Sequence, residues 1–205
     1  MTTTTGPAFS VQTDVPTAAG MAELGGRLAR LLAAGDLVVL SGPLGAGKTT
    51  LTRGIGAGLN VRGPVTSPTF VIARVHPSLA GGPDLVHADA YRLGSRAEVD
   101  DLDLDADLAT SVTVVEWGEG LVEALAGSYL AVGIEPVLAA SGLAAPGLAA
   151  TAAPPHPGAA AGDGAGGDGD QARIVRIDGW GERWQQAAGR VRQALAPDQQ
   201  ARGGR

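Results

Sequence analysis

Cysteine is absent from this chain of 205 residues, and aromatic residues make up only 3% of it. Without thiols the chain has neither disulfide bonds nor thiolate metal sites. The hydrophobic fraction is 44%, but much of it is alanine, so large core side chains are fewer than that figure suggests. The length suits one domain, or one domain with tails.

No apolar run is long enough to span a membrane, and the N-terminal segment Met1–Pro7 lacks the basic start and the apolar stretch of a signal peptide. We therefore expect a cytoplasmic protein without membrane contact. The net charge of −6 argues against a protein whose main task is to grip a nucleic-acid backbone. An indirect role beside RNA is compatible with it.

The most informative segment is Gly42–Thr49, which fits the pattern G-x-x-x-x-G-K-[ST] of a phosphate-binding loop. The apolar run Leu37–Leu40 precedes it and predicts a buried strand, and a helix is expected to begin at about Lys48. Glycines let the loop curl so that several N–H groups point at one anion, and the helix N-terminus adds a partial positive charge of about 0.5 e. In this pattern Lys48 reaches the β- and γ-phosphates, and the Thr49 hydroxyl binds Mg²⁺. The segment therefore predicts binding of a nucleoside triphosphate.

The remaining sequence predicts an α/β fold, a single P-loop NTPase-like domain in which helices flank a mixed, mostly parallel sheet with an antiparallel C-terminal hairpin. Apolar periodicity predicts helices over 18–34, 48–59 and 180–195, with a short helical turn at 120–126. Strands are predicted over 37–40, 70–75, 85–89, 111–116, 129–134 and 172–177. Strands 70–75 and 85–89 are expected to form a hairpin, and the last two strands an antiparallel pair near a sheet edge.

We place the domain at 16–196 and expect residues 1–15 and 197–205 to be flexible. The tract at about 136–171 is mostly Ala, Gly and Pro, a composition that buries too little apolar surface to offset the entropy of ordering the chain. We interpret it as a disordered insertion between two strands. The fold tolerates it because the cost of loop closure grows only logarithmically with length. A partner-docking role is the alternative.

Two acidic residues stand at the ends of predicted strands. Asp89 follows Leu85–Ala88, and Glu116 follows Val112–Val115. Because the carboxyl ends of parallel strands line the ligand crevice of an open sheet, both carboxylates are candidates for a Mg²⁺ site and for a catalytic centre beside Lys48. The alternative for each is a solvated acid just past a strand.

Other features carry weaker signals. The segment Thr66–Thr69 stands where nucleotide switches keep a γ-phosphate sensor loop, or is a proline-bounded turn. His87 is a candidate catalytic base or a packed strand residue. Trp117 is a candidate for stacking on a nucleobase or a partner, and the alternative is that it covers the end of the sheet. Arg92 is a candidate for stabilising transferred charge or is solvated. The acidic run over 98–107 is a solvated face or a docking surface for a basic partner.

Taken in order, the motifs G-P-L-G-A-G-K-T-T, S-P-T-F, H-A-D-A-Y-R-L and V-E-W resemble those of the TsaE family, also called YjeE. The match covers about residues 18–135 and resumes at the strand around Arg173. Family members are small α/β proteins of bacterial tRNA threonylcarbamoyladenosine synthesis that bind ATP and Mg²⁺ and hydrolyse ATP slowly. The resemblance implies TsaD and TsaB-like partners, whose complex modifies the adenosine next to the anticodon, so tRNA is contacted only indirectly. The ATPase is then expected to reset or remodel that complex and not to be the transferase.

The resemblance also assigns roles to individual residues. Thr49 and Glu116 match the magnesium ligands, and Asp89 matches the functionally required acid of the H-x-D-x-Y-R-L motif. We therefore expect catalytic roles for Lys48, Asp89 and Glu116, and metal binding by Thr49, Glu116 and Asp89. Nucleotide binding is expected of the loop residues and three others: Gly45, Ala46, Gly47, Lys48, Thr49, Thr50, Thr69, Trp117 and Arg173.

The chain departs from the family pattern at two places. Met21 stands where many members carry a threonine near the adenine, and the glycine-rich insertion is not part of the compact family core. Neither departure affects the expected ATPase site. A small-molecule kinase and a non-catalytic nucleotide switch stay open as alternatives on the same loop, although the long insertion is nearly free of the basic residues that kinase lids supply. The oligomeric state is open, with a monomer expected.

Overall fold

The computed structural model describes residues 6–69, 72–93, 95–100, 104–137 and 171–195. Within them, seven strands form one sheet: β1 Phe9–Val15, β2 Leu37–Ser41, β3 Ala73–His76, β4 Asp84–Asp89, β5 Ser111–Glu116, β6 Tyr129–Pro136 and β7 Arg173–Trp180. The helices of the same residues are α1 Ala18–Ala29, α2 Lys48–Leu59, α3 Arg96–Asp100, α4 Leu104–Leu108 and α5 Glu182–Leu195, with a 3₁₀ turn at Glu123–Leu125.

The strand order is β1-β7-β6-β2-β5-β4-β3. The central strands β6, β2, β5 and β4 run parallel, whereas β1, β7 and β3 pair antiparallel with their neighbours. The predicted fold class is therefore confirmed, as are both antiparallel pairs, β3–β4 and β6–β7. β2 and β5 lie at the centre, where their residues are almost all buried, as is usual for strands that are covered on both faces.

Helices cover both faces of the sheet. On one face α1, α2 and α5 pack over an apolar layer that includes Met21, Leu24, Leu28, Leu51, Ile55 and Trp184. On the other face, side chains from α3, α4 and the segment 118–126 pack against β2, β4 and β5; they include Val99, Leu104 and Val122. This layering leaves the carboxyl ends of β2, β4 and β5 together at one edge, where the candidate site lies.

The N-terminal segment differs from the prediction. Residues 1–15 were expected to be flexible, but Phe9–Val15 form the edge strand β1, which pairs with β7 along its whole length. The sequence F-S-V-Q-T-D-V alternates apolar and polar residues, which is the signal of a half-buried strand. Phe9 contacts the Trp184 ring edge-on, with the ring centroids 6.3 Å apart. Residues 1–5 lie outside the described residues.

Helix α1 ends at Ala29, five residues before the predicted end at Ala34. The chain tightens there, because Leu31 and Leu32 donate to carbonyls only three residues back. Asp36 stabilises this turn by accepting the Ala33 N–H at 2.8 Å. It also pairs with Arg183 of α5 at 2.9 Å.

Glycines let α1 and α2 cross closely. A Cβ at Gly54 would overlap the carbonyl group of Ala22, and one at Gly25 would overlap the Leu51 carbonyl oxygen. These glycines lower the intrinsic helix propensity by up to ~1 kcal/mol each, yet α2 spans the predicted range 48–59. Close packing of the two helices therefore compensates for the poor propensity.

The predicted insertion joins two strand ends that lie side by side. Pro136 and Arg173 are directly opposite in the β6–β7 register, and the Val137 N–H donates to the Ala172 carbonyl at 2.7 Å. The bulk of the insertion, 138–170, lies outside the described residues, as does the predicted tail 197–205. The same holds for Phe70 and Val71 and for 101–103 of the acidic run. Ile72 is described and has a left-handed φ of +70°, so β3 begins at Ala73 and not at the predicted start, Phe70.

Candidate active site

The glycine loop between β2 and α2 has the backbone geometry of a phosphate cradle. Gly42, Gly45 and Gly47 have φ values of +136°, +76° and +108°, which L side chains rarely adopt. No side chain caps α2 at Gly47, so the first N–H groups of the helix are left for a ligand. A helix N-terminus with such groups is a ready anion site.

Lys48 is buried, and its ammonium group is held inside this loop. Nζ donates to the carbonyl oxygens of Gly42 at 2.8 Å and Pro43 at 3.0 Å. It also lies 3.8 Å from the centre of the Trp117 ring, a cation–π contact. Burial lowers the pKa of Lys48 below its ordinary value, and the Glu116 and Asp89 carboxylates oppose that shift. The loop thus holds a cation in place to meet phosphate oxygens.

Thr49 and Glu116 meet at the end of the sheet. β2 and β5 run parallel with Leu40 opposite Glu116, so Glu116 comes level with the start of the loop. The Thr49 hydroxyl donates to Glu116 Oε1 at 2.9 Å. A hydroxyl and a carboxylate are hard oxygen donors that suit Mg²⁺, which keeps several waters and takes further oxygens from the phosphates.

The protein atoms alone do not form a closed metal cage. Among the described residues no group of three or more His, Cys, Asp or Glu side chains is arranged to hold a metal ion. Two protein ligands per ion are normal for a Mg²⁺ that arrives with a nucleotide. The donors present therefore fit the predicted ion.

Asp89 connects the end of β4 to the segment Thr66–Thr69, the hydroxyl-rich loop. Its Oδ2 accepts the Thr69 hydroxyl at 2.8 Å and its Oδ1 accepts the Tyr91 N–H at 2.9 Å. Ser67 and Thr69 share a hydrogen bond of 2.6 Å. Both Asp89 oxygens are thus occupied by the protein itself, and ligation of a metal by Asp89 stays a prediction.

Trp117 adopts an unusual backbone conformation directly after Glu116. Its φ of +61° is left-handed, which costs a non-glycine residue of order 1–3 kcal/mol and recurs at functional sites. Its N–H donates to the Leu40 carbonyl at 2.9 Å. The indole then lies under Lys48 and 5.2 Å from the Tyr91 ring centroid.

Arg173 supports the loop from below. Its Nε donates to the Ala46 carbonyl at 2.9 Å and its Nη1 to the Gln171 carbonyl at 2.7 Å. Met21 is also fully buried here, and both side chains lie 3.4–3.6 Å from the place where a Cβ at Gly47 would stand. Contact of Arg173 with a nucleotide stays a prediction, because the side chain does not line the cavity.

The loop, the two carboxylates and the hydroxyl-rich segment enclose one cavity of about 310 Å³. Apart from Arg173, the structure brings every predicted site residue to it: Gly45, Ala46, Gly47, Lys48, Thr49, Thr50, Thr69, Asp89, Glu116 and Trp117. Leu44, Arg53 and Ser67 complete the lining.

Outside the motif Gly42–Thr49 and the segment Thr66–Thr69, two residues at the site were not predicted as site residues. Arg53 lines the cavity and donates through Nε to the Val65 carbonyl at 3.0 Å. Arg53 stands four residues after Thr49, so both lie on one face of α2. This spacing could have predicted that Arg53 lies at the site. His87, treated as either a base or a packed residue, lies 2.8 Å through Nε2 from Glu116 Oε1. Its spacing of two from Asp89 pointed to a shared strand face.

In the part of the chain that the structure describes, no helix is long and apolar enough to cross a membrane.

Comparisons of the whole sequence with known proteins agree on one family. The family model described as "Threonylcarbamoyl adenosine biosynthesis protein TsaE" matches residues 15–139. A Streptomyces coelicolor protein named tRNA threonylcarbamoyladenosine biosynthesis protein TsaE is 56% identical over 165 residues, which is 80% of this chain and 93% of that protein. A protein of the same name from Mycobacterium tuberculosis H37Rv is 55% identical over 121 residues, 56% of this chain and 72% of that protein. The crystal structure of Bacillus subtilis YdiB shares the fold with a TM-score of 0.59 at 23% identity, over 90% of this chain and 95% of that one.

Proposed function

Because the chain belongs to the TsaE family of threonylcarbamoyl adenosine biosynthesis proteins, we propose that it is a Mg²⁺-dependent ATPase of tRNA modification. ATP binding and slow hydrolysis support formation of the threonylcarbamoyl group on the adenosine next to the anticodon. TsaD and TsaB-like proteins are the partners. The net charge of −6 is consistent with tRNA being contacted only through that complex.

One observation carries the proposal: the hydrogen bond of 2.9 Å between the Thr49 hydroxyl and Glu116 Oε1, inside the cavity that also holds the glycine loop and Lys48. Thr49 lies near the start of α2 and Glu116 at the end of β5, and the two residues are 67 positions apart in sequence. A phosphate cradle alone supports anion binding. The Glu116 carboxylate beside the Thr49 hydroxyl adds a pair of oxygen ligands for the Mg²⁺ that phosphoryl transfer requires.

Each side chain then has a chemical task. The loop N–H groups bind the β- and γ-phosphate oxygens, and the Lys48 ammonium balances their charge. Thr49 and Glu116 hold Mg²⁺, which when bound neutralises charge that develops on the phosphate oxygens. Asp89 orients the Thr69 hydroxyl at the end of the cavity where the γ-phosphate is expected.

The test is release of phosphate by the purified full-length chain, alone and with its TsaB- and TsaD-like partners. We expect turnover of ATP to ADP and phosphate without any phosphorylated acceptor, and a rate that depends on Mg²⁺. Lys48→Ala should weaken ATP binding at least about tenfold, because it removes the ammonium group that balances the charge of the phosphates. Glu116→Ala should retain metal-free nucleotide binding and lose most hydrolysis.

Three outcomes contradict the proposal in different ways. A phosphorylated small molecule as product would establish a kinase. Tight ATP binding without turnover, even with partners present, would establish a nucleotide switch. Normal hydrolysis by Glu116→Ala would show that the metal is held elsewhere.

A further inference from the structure

His87 is fully buried, with an exposed fraction of 0%, and it is not among the residues that line the cavity. It lies on β4 two residues before Asp89, so both side chains leave the strand on the same face. Because the ring does not reach the cavity, it acts on the site only through another side chain. This position excludes a direct role in proton transfer to a substrate.

The side chain in question is Glu116, which is itself only 3% exposed. His87 Nε2 lies 2.8 Å from Glu116 Oε1. The same oxygen accepts the Thr49 hydroxyl at 2.9 Å. Oε1 is therefore held from two sides, by β4 and by α2. Oε2 has no hydrogen-bond partner among the described residues and is the oxygen left for a ligand.

The other ring nitrogen indicates which tautomer is present. His87 Nδ1 is buried and has no hydrogen-bond partner among the described residues. A proton on Nδ1 would bury a donor without an acceptor and would turn the Nε2 lone pair towards the carboxylate. A proton on Nε2 avoids both costs. The ring therefore donates from Nε2 to Glu116.

We propose that His87 is a positioning residue, which fixes the rotamer of Glu116 so that Oε2 faces the Mg²⁺ beside Thr49. This inference rests on the proposed function, since it assigns a partner to the metal ligand of that site. Hydrogen-bond donors behind a metal ligand commonly change metal affinity or activity by about 10–100-fold. The effect of His87 should therefore appear in metal affinity and not in the affinity for metal-free nucleotide.

Three variants distinguish the effect of the Nε2–H donor of His87 from the effect of the volume of its ring. His87→Gln keeps an N–H donor at about the distance of Nε2. His87→Leu removes the donor but keeps an apolar core side chain, and His87→Asn is polar but too short to reach Glu116. A purely structural role for the ring predicts that all three behave according to their stability alone.

His76 provides a matched control. It is a second buried histidine, 4% exposed, on the adjacent strand β3. Its Nδ1 lies 3.4 Å from the Arg62 carbonyl, and no contact joins it to Glu116 in the described structure. His76→Leu therefore perturbs the same region of the core without touching the proposed metal ligand.

The measurement is the affinity for Mn²⁺, followed by electron paramagnetic resonance in the presence of a non-hydrolysable ATP analogue, on folded full-length protein. We expect His87→Leu and His87→Asn to weaken Mn²⁺ binding by about tenfold or more, with analogue affinity in EDTA unchanged. His87→Gln and His76→Leu should stay close to wild type. Wild-type Mn²⁺ affinity in His87→Asn, or a loss in His87→Gln equal to that in His87→Leu, would overturn the inference.

A second readout needs no metal and no hydrolysis. The ¹⁵N NMR spectrum of the histidine side chains in the unliganded protein should show His87 protonated at Nε2, with that signal perturbed in Glu116→Gln. A proton on Nδ1 would overturn the inference even if the His87→Leu variant failed to fold. Absence of any metal–nucleotide binding in the wild type would refute the proposed function and with it the positioning role, whereas a wild-type site that binds metal normally in His87→Asn would refute only the latter.

Discussion

Asp89 shows how one carboxylate connects separate parts of the site. Its two oxygens hold the Thr69 hydroxyl and the Tyr91 N–H at 2.8 and 2.9 Å, so the hydroxyl-rich loop and the start of the next segment both depend on it. The residue is 6% exposed, and a buried carboxylate of this kind is stabilised by such charge-assisted bonds. It therefore positions the loop whether or not it also reaches the metal.

This network gives a prediction for Asp89→Asn. The amide keeps the size of the side chain but accepts through one oxygen only, so either the Thr69 hydroxyl or the Tyr91 N–H loses its acceptor. We expect hydrolysis to fall by about 10²-fold, a loss comparable to that of one preorganised transition-state contact, while metal-free ATP binding changes little.

Asp84→Asn is the control for that substitution. Asp84 lies at the other end of the same strand, where it accepts the Ser78 N–H at 2.7 Å. Equal losses of hydrolysis in both variants, measured as phosphate release at saturating ATP, would mean that strand stability and not the loop contact is responsible.

At the scale of elements, the crossing of α1 and α2 depends on residues without side chains. Gly54 lies against the backbone of Ala22, where no Cβ fits. α2 carries Lys48 and Thr49 at its start, so the depth at which it packs also sets the height of the phosphate cradle above the sheet.

We predict that Gly54→Ala lowers the free energy of unfolding by about 1–3 kcal/mol, because the added methyl group overpacks a backbone contact. For a chain of this size that corresponds to a melting temperature lower by about 2–4 °C per kcal/mol. Gly189→Ala is the matched control, since a Cβ there meets nothing within 4 Å. It should stabilise α5 by about 0.5–1 kcal/mol. Thermal melting that moved in the same direction in both variants would contradict this explanation.

Some of the helices and strands could be predicted from the sequence, and others could not. The strands β2 and β5 and the helix α2 were predictable because apolar runs and glycine positions report directly on burial and turns. The end of α1 was not, since Ala33 and Ala34 are good helix formers and only the distant Arg183–Asp36 pair reveals why the helix stops earlier. β1 was missed although its alternation was visible, because a strand at a sheet edge becomes evident only when its partner β7 is known.

The candidate site, too, was predictable only in part. The loop motif and the acids at strand ends were sufficient to predict which side chains come together. The His87–Glu116 contact was not predictable, because it depends on the pairing of β4 with β5 and on a rotamer. The sequence also did not reveal that Arg173 donates to the Ala46 carbonyl beneath the loop; its expected contact with the nucleotide stays a prediction.

At the scale of the whole molecule, the long tract between β6 and β7 is attached at two adjacent points. Pro136 faces Arg173 across the hairpin, and Val137 bonds to Ala172. The strands therefore already meet at the distance that a short turn requires.

We predict that replacing 138–170 by Asn-Gly leaves the fold and the ATP affinity intact and raises the free energy of unfolding by about 1–2 kcal/mol, because loop closure becomes less costly. The check is urea unfolding together with calorimetric titration of ATP. A loss of ATP affinity in the shortened protein would show that the tract contributes to the site. A loss of partner-stimulated hydrolysis alone would show that it docks the partners.

The position of the Trp117 ring under the Lys48 ammonium, 3.8 Å away, has a practical consequence. Of the three tryptophans in the chain, Trp184 is buried in the core and Trp180 stacks on Tyr129, so neither adjoins the phosphate loop. Any ligand that draws the ammonium away from the indole changes the electric field on that chromophore. Trp117 is thus an intrinsic fluorescent probe of the phosphate loop. Its fluorescence can report ligand binding and release in real time without an attached dye.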